Sequence, residues 1–514
     1  MLKKNSQSKQ KSQLNGSHVD VIIVGAGISG LGAAYELKKQ SPQKSFFILE
    51  SMDKYGGTWR CHKYPGVRSD SDLFTFGYRF KPWHGNPIAS GQEILDYLGE
   101  VIDENDLTEQ IHYNCHISNA DWDSHANVWT VTATDKKTGQ SLQVTCSFLW
   151  MCQGYYKHSE GYMPEWPEMD SFKGTIVHPQ SWPEDMDYSD KKIVVIGSGA
   201  TAATLVPALA SNCEHVTMLQ RSPTYFSPGP NKNDLADSLR ELNIDPTWIH
   251  EIVRRRIAVD GRKYLQHTID NPEKAKEELL RGLKKYLPQD VIDKHFTPKY
   301  RPWQQRIAVV PNADLFRCVA DETASIVTDH IERFTPEGIL LQSGKTLDAD
   351  IIISATGFSL QVFGNIAFTV DNRKIDFSEV MTYRGMMFTE VPNMAWIMGY
   401  FRGASWTLRV DLVGDFVCRL LNHMDERSVK KVMVQLDPSD NMERLPWMDS
   451  ELFNPGYMMR SQMHLPKRGS KPEWGHSQDY WWDRDEYPKI NLEAAPFVYD
   501  DTRSSEHLAR KKFG

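Results

Sequence analysis

Two glycine clusters carry the first chemical signal in this 514-residue chain. Gly25-Ala26-Gly27-Ile28-Ser29-Gly30 follows the apolar run Val21-Ile22-Ile23-Val24 and opens a helix-prone segment. In the G-x-G-x-x-G pattern the first glycine makes a tight turn. The second lets the backbone approach a pyrophosphate at the positive helix N-terminus, and the third lets the helix pack on the strand. Glu50 ends the next strand, where a carboxylate accepts both ribose hydroxyls of a dinucleotide. Gly197-Ser198-Gly199-Ala200-Thr201-Ala202, followed by Ala203, is the G-x-G-x-x-A form after a second apolar strand. Here the following strand ends in Arg221-Ser222 with no carboxylate. A guanidinium pairs with a 2′-phosphate that an acid would repel, so this site favours NADPH over NADH. With two nucleotide sites on one chain, one cofactor gives hydride and the other receives it. A flavin at the first site and NADPH at the second is the economical reading.

Between the two sites lie residues that a generic nucleotide fold does not require. Gly56-Gly57-Thr58-Trp59, followed by Arg60 and Cys61, offers close backbone approach to a flat ring and an aromatic wall. Tyr64-Pro65-Gly66 and Arg68-Ser69-Asp70 follow. His178 stands just before the second nucleotide unit; taken alone, it reads as a hydrogen-bonded linker histidine rather than a catalyst.

Positioning these residues calls for two βαβ units. The fold class expected is α/β, with two Rossmann-like, three-layer ββα dinucleotide-binding domains. The FAD domain is discontinuous, occupying residues 19–155 and 350–440. The NADPH domain occupies 156–229 and 301–349, with a charged, helix-prone insertion at 230–300. An amphipathic helix is expected over about residues 405–424, since Leu408, Leu412, Phe416 and Leu420 recur one turn apart. After residue 440 the chain is rich in Pro, Trp, Arg and Asp without a period, so residues 441–514 read as an irregular wrap. Residues 1–18, Lys-rich and free of acids, read as a disordered basic tail without the apolar stretch of a signal peptide.

Composition narrows the function classes. Lys plus Arg is 59 and Asp plus Glu is 67, so the formal net charge of −8 disfavours nucleic-acid binding. Mean hydropathy is −0.51 and no run of about 18 apolar residues suggests a membrane span. A peripheral contact through residues 452–458 is one reading of that apolar stretch; a buried wrap is the other. Seven dispersed cysteines without a C-x-x-C pair point to a reducing, cytoplasmic setting and away from a redox disulfide or a zinc site.

The segment from Phe172 to Trp182 fits F-x-G-x-x-x-H-x-x-x-W, and Gly56 to Asp70 fits G-G-x-W-x-x-x-x-Y-P-G-x-x-x-D. Together they resemble the fingerprints of class B flavoprotein monooxygenases of the type I Baeyer–Villiger branch. The stretches YPGVRSDSDLFTFGYRFKPW and WQQRIAVVPNADLF are closest to its ethionamide-activating members. The resemblance covers nearly the whole chain after the tail. It implies FAD and NADPH as cofactors, and O₂ with a small ketone or thioether as substrates. It further implies a C4a-peroxyflavin that inserts one oxygen atom next to a ketone carbonyl, giving an ester or lactone, with sulfoxidation of thioethers or thioamides beside it. The alternative is an N- or S-oxygenase with little ketone activity, and a non-catalytic NADPH sensor is the different-class reading. By the same resemblance Arg306 stabilises the anionic peroxide and the tetrahedral adduct, and Asp70 orients it. Ser29, Glu50, Thr58, Trp59, Asp70 and Ile117 are implied FAD contacts. Arg68, Ser69, Asp70, the loop 197–203 and Arg221-Ser222 are implied NADP contacts. Gln305 stands where the family often has Lys, which removes one implied 2′-phosphate contact. Oligomeric state is left open.

Overall fold

The computed structural model describes residues 14–500. Its first sheet is built around the strand His18–Val24, which pairs in parallel with Phe46–Leu49 on one side and Ser141–Met151 on the other. Ile23 lies beside Ile48 and Trp150, and all three are fully buried, as a strand covered on both faces requires. Cys115–Asp123, Val128–Asp135 and Ser141–Met151 form an antiparallel meander. Late segments complete the sheet: Ala367–Val370 joins Cys115–Asp123, and Met394–Trp396 joins Ser141–Met151. The first unit is therefore discontinuous in sequence, as expected.

The helix Ile28–Gln40 lies against this sheet and is covered in turn by the long helix Thr407–Glu426. Gly32 makes that contact possible, because a Cβ there would sit 2.7 Å from Val410. Gly91–Glu104, closed by a full capping box between Ser90 and Glu93, buries its Ile94, Leu98 and Val101 face in the same core.

The second sheet is wholly parallel, in the order Ala324–Thr328, His215–Gln220, Lys192–Ile196, Ile351–Ser354, Thr175–Val177. The antiparallel strands Ile331–Thr335, Gly338–Leu341 and Thr346–Asp348 add the small third layer of the ββα class. The helices Asp234–Glu241, Pro246–Asp270, Pro272–Leu283 and Gln289–His295 fill the expected insertion.

Two boundaries differ from those expected. Ile351–Ser354 belongs to the second sheet, paired on both sides, so the chain returns to the first unit only after it. An apolar run looks the same in either buried sheet, which is why its assignment failed. The basic tail ends earlier than residue 18: Leu14 is buried, Gly16 bonds to Gln143, and His18 begins a strand. Residues 1–13 of that tail, and 501–514 of the C-terminal wrap, lie outside the described residues. In the stretch 452–458, expected either as a peripheral contact or as a buried wrap, Phe453 and Met458 are fully buried in the core against the first sheet while Leu452 is exposed. No helix among the described residues is long and apolar enough to cross a membrane.

Candidate active site

Both glycine turns open on one cleft of about 1170 Å³. From the first unit it is lined by Gly25, Gly27, Ser29, Glu50, Gly57, Thr58, Trp59, Cys61 and Ile117. The second unit contributes Gly197, Ser198, Gly199, Ala200, Thr201, Arg221 and Ser222, and the connecting segments contribute Arg68, Ser69, Asp70 and Arg306. Four selected residues do not reach it. Gly30 is a packing glycine: a Cβ there would sit 1.8 Å from the Gly25 carbonyl oxygen. Ala202 and Ala203 are buried in the second unit's core, on the inner side of their helix. The Arg60 guanidinium turns back over the Tyr55 ring, and its Nε donates to the Tyr55 carbonyl.

The first turn is tightly enclosed. Gly25 has φ +101°, and a Cβ would meet the Cys152 carbonyl at 2.9 Å. Gly27 and Gly57 face each other, with a Gly57 Cβ placed 3.1 Å from the Gly27 Cα. This is a cradle that side chains would fill. The Glu50 carboxylate accepts from the Ala26 and Met52 amides at 2.7 Å each. Burial nevertheless pushes this carboxyl above its ordinary value. The Trp406 indole donates to Ser29 Oγ at 2.9 Å, and Tyr155 stacks on Trp406 with ring centres 5.1 Å apart.

Arg306 lines the cleft between the two units. Its Nε and Nη2 hold the two Asp70 oxygens at 2.5 and 2.8 Å, Nη2 also donates to Ser71 Oγ, and Nη1 donates to the Phe401 carbonyl at 3.2 Å. Of five N–H donors, four are engaged and one Nη1 hydrogen has no acceptor among the described residues. Burial works against the charge, but the Asp70 carboxylate outweighs it and holds the guanidinium above its usual range. Burial pushes the nearby Tyr155 phenol up to about 12, and Arg306 pulls against that rise.

The second turn is open. Gly197, at φ +132°, is needed because a Cβ would lie 2.3 Å from the Ala355 carbonyl. A Cβ on Gly199, by contrast, would meet nothing within 4 Å. Ser198 Oγ bonds to Thr224 Oγ1 at 2.8 Å. Arg221 is exposed and has no carboxylate partner among the described residues. Arg68 is committed instead to a bidentate pair with Asp314, at 2.5 and 3.2 Å. Gln305 lines the cleft in the position where a lysine was missed.

Several lining residues carry no motif and were not selected. Tyr155 and Tyr156 follow the strand Ser141–Met151, at the carboxyl end of a parallel pair, where ligands gather in such sheets. That position was the available signal. The Tyr156 hydroxyl donates to Thr58 Oγ1 at 2.8 Å, and its ring stacks on Phe358 at 4.4 Å. Burial, reinforced by His158 and His178, pulls the His62 imidazole down to about 4, so it is neutral at physiological pH. Burial pushes the Cys61 thiol up to about 11, which removes it as a nucleophile. His178 accepts from the Gln180 amide at Nδ1, so its proton sits on Nε2 and is donated to the Gly357 carbonyl at 3.2 Å. The fingerprint histidine is thus a joint between the segment entering the second unit and the one leaving it.

Comparison with known proteins agrees with this geometry. The family described as pyridine nucleotide-disulphide oxidoreductase matches residues 22–241, although all seven cysteines here are free. The chain is 46% identical over 469 residues to the FAD-containing monooxygenase EthA of Mycobacterium tuberculosis, covering 91% of this chain and 94% of that protein. The chain belongs to the FAD-containing monooxygenase family. The probable FAD-binding monooxygenase AlmA of Acinetobacter baylyi is 44% identical over 469 residues, 91% of this chain and 93% of that one. Among solved structures, oxidized steroid monooxygenase bound to NADP shares the fold, with a TM-score of 0.74 and 20% identity. That match covers 94% of this chain and 99% of the other. Cyclohexanone monooxygenase bound to ε-caprolactone superposes with a TM-score of 0.71 at 18% identity, covering 94% of this chain and all of the other. The flavin of this family fits the first turn, where the Gly27–Gly57 cradle and the buried Glu50 acceptor match a pyrophosphate and a ribose.

Proposed function

We propose that this chain is an NADPH-dependent monooxygenase of Baeyer–Villiger type. It converts a ketone, O₂, NADPH and a proton into an ester or lactone, water and NADP⁺, and also oxygenates thioethers or thioamides. The observation that supports this reading is the Arg306–Asp70 pair, set in the one cleft onto which both glycine turns open. FAD bound in this cleft would supply hydride acceptance from NADPH and activation of O₂. The first-turn glycines and Glu50 would hold it, together with Thr58, Trp59 and Ile117, which line the same cleft. Gly197, Gly199, Arg221 and Ser222 hold NADPH, and Arg221 reads its 2′-phosphate.

Arg306 supplies a permanent positive charge and one free Nη1 hydrogen to an oxygen that becomes negative during attack on a carbonyl. Asp70 fixes the plane of the guanidinium by occupying one edge. Tyr155, Trp406 and Phe401 exclude water from one wall of the cleft. The seven free thiols fit a reducing, cytoplasmic setting.

Arg306→Ala tests the assignment. NADPH is expected still to bleach the flavin under anaerobic conditions, while ester formation is lost and H₂O₂ is released instead. Undiminished ester formation would overturn the role. A substrate panel that gives sulfoxides from thioethers but no ester from any ketone would leave the narrower sulfur-oxygenase reading.

A further inference from the structure

The irregular C-terminal segment is tied to the arginine centre at both ends of its support. Asn454 donates its amide to the Gln304 carbonyl at 2.9 Å, within the loop that carries Arg306. Arg301, at the start of that loop, donates to the Glu451 and Leu452 carbonyls at 2.9 and 3.2 Å. On the other side, the residue whose carbonyl accepts from Arg306 is itself held by this segment through its amide. The Phe401 amide donates to Gln478 Oε1 at 2.8 Å, while the Phe401 carbonyl accepts from Arg306 Nη1.

The orientation of Gln478 is fixed by a second link. Its Nε2 faces His476 Nδ1 at 2.6 Å, and His476 Nε2 lies 2.9 Å from the Met398 carbonyl. That carbonyl can only accept, so the imidazole proton sits on Nε2. Nδ1 must then accept from the Gln478 amide, which leaves Oε1 for Phe401. His476 is buried against Trp447 and Phe401, which shields its end of the link from solvent.

We infer that the segment 449–483 is a structural part of the active site, and that Gln478 is a positioning residue for Arg306 acting through the Phe401 backbone, whose amide and carbonyl lie on successive peptide units. The inference rests on the catalytic role proposed for Arg306. Loosening the backbone at Phe401 leaves hydride transfer to the flavin intact but lets the guanidinium drift from the developing oxyanion. Oxygen activated at the flavin then leaves as peroxide more often.

Gln478→Met keeps the volume and removes both hydrogen bonds. The expected result is an unchanged anaerobic rate of flavin reduction by NADPH and a roughly 3–10-fold rise in H₂O₂ released per ester formed, the weight of one hydrogen bond. In an Arg306→Ala background the same change should add no further uncoupling, since both act through one group. Arg301→Ala, at the surface end of the clamp, should move the ratio in the same direction by less, and it serves alone if Gln478→Met does not fold. Wild-type coupling in Gln478→Met, or in Arg301→Ala where only that variant folds, overturns the inference. Reduction and oxygenation slowed in equal proportion also overturn it. If Arg306→Ala itself stays coupled, the underlying reading of Arg306 fails; if it uncouples while the clamp variants do not, only the positioning role fails.

Discussion

The two glycine turns share a motif and differ in almost everything around it. The first is sealed: Gly27 faces Gly57 backbone, Glu50 is only 4% exposed, and the Trp406 indole closes over Ser29. The second is open, with nothing within 4 Å of where a Gly199 side chain would begin and an exposed Arg221 at the next strand end. Their third positions make the same point. A Cβ at Gly30 would overlap the Gly25 carbonyl, whereas the second unit carries Ala202 there, fully buried without conflict. A sealed turn with a buried acid suits a cofactor that stays through many turnovers. An open turn with a solvent-facing cation suits one that exchanges.

The sharpest way to break this contrast is Gly30→Ala. The added carbon would lie 1.8 Å from a backbone oxygen, so the helix Ile28–Gln40 must move off its strand. We expect a loss of at least about 3 kcal/mol in stability and protein purified largely without flavin. Absorbance at the flavin band relative to 280 nm measures this; normal flavin content would show that the first turn is looser than its packing implies.

Arg221→Ala probes the other side and should spare the flavin entirely. Losing a charge-assisted pair to a 2′-phosphate should lower kcat/KM for NADPH about 10–100-fold and leave NADH unchanged. Steady-state kinetics with both nucleotides decide it. An equal loss for both would mean that Arg221 supports the turn rather than reading the phosphate.

Much of this contrast was legible from residue spacing. G-x-G-x-x-G after an apolar run fixes a strand, a turn and a helix at once, because each glycine answers a separate steric demand. The family resemblance of Gly56–Asp70 and of Trp303–Arg306 likewise assigned Asp70 and Arg306 to one site, and the two side chains pair although 236 residues separate them in sequence. What stayed hidden depends on tertiary pairing. The run Ile351–Ser354 is apolar enough for either sheet, and only its partners Ile193–Ile196 and Thr175–Val177 decide. Tyr155 and Tyr156 carry no motif beyond their place after a strand end, because cleft walls are set by which strand ends converge. The C-terminal clamp was equally invisible: Gln478 acts on a backbone peptide, which imposes no spacing on the chain.

The smallest expected effect separates the two sites by pH. Burial dominates at Glu50 and raises its pKa above 4.5, although the Ala26 and Met52 amides oppose the rise. In the flavin-free protein the ionised carboxylate therefore costs stability as pH rises through that raised value. Two ribose hydroxyls donating to it favour the ionised form, so flavin binding must strengthen over the same rise and weaken as pH falls back through it. We expect a less than tenfold loss of flavin affinity between pH 8 and pH 5, read from the fluorescence of released flavin on dilution. Glu50→Gln should bind weakly and lose this slope, since an amide does not titrate in that range. A slope that persists in Glu50→Gln would assign the pH dependence to another group and detach Glu50 from the ribose.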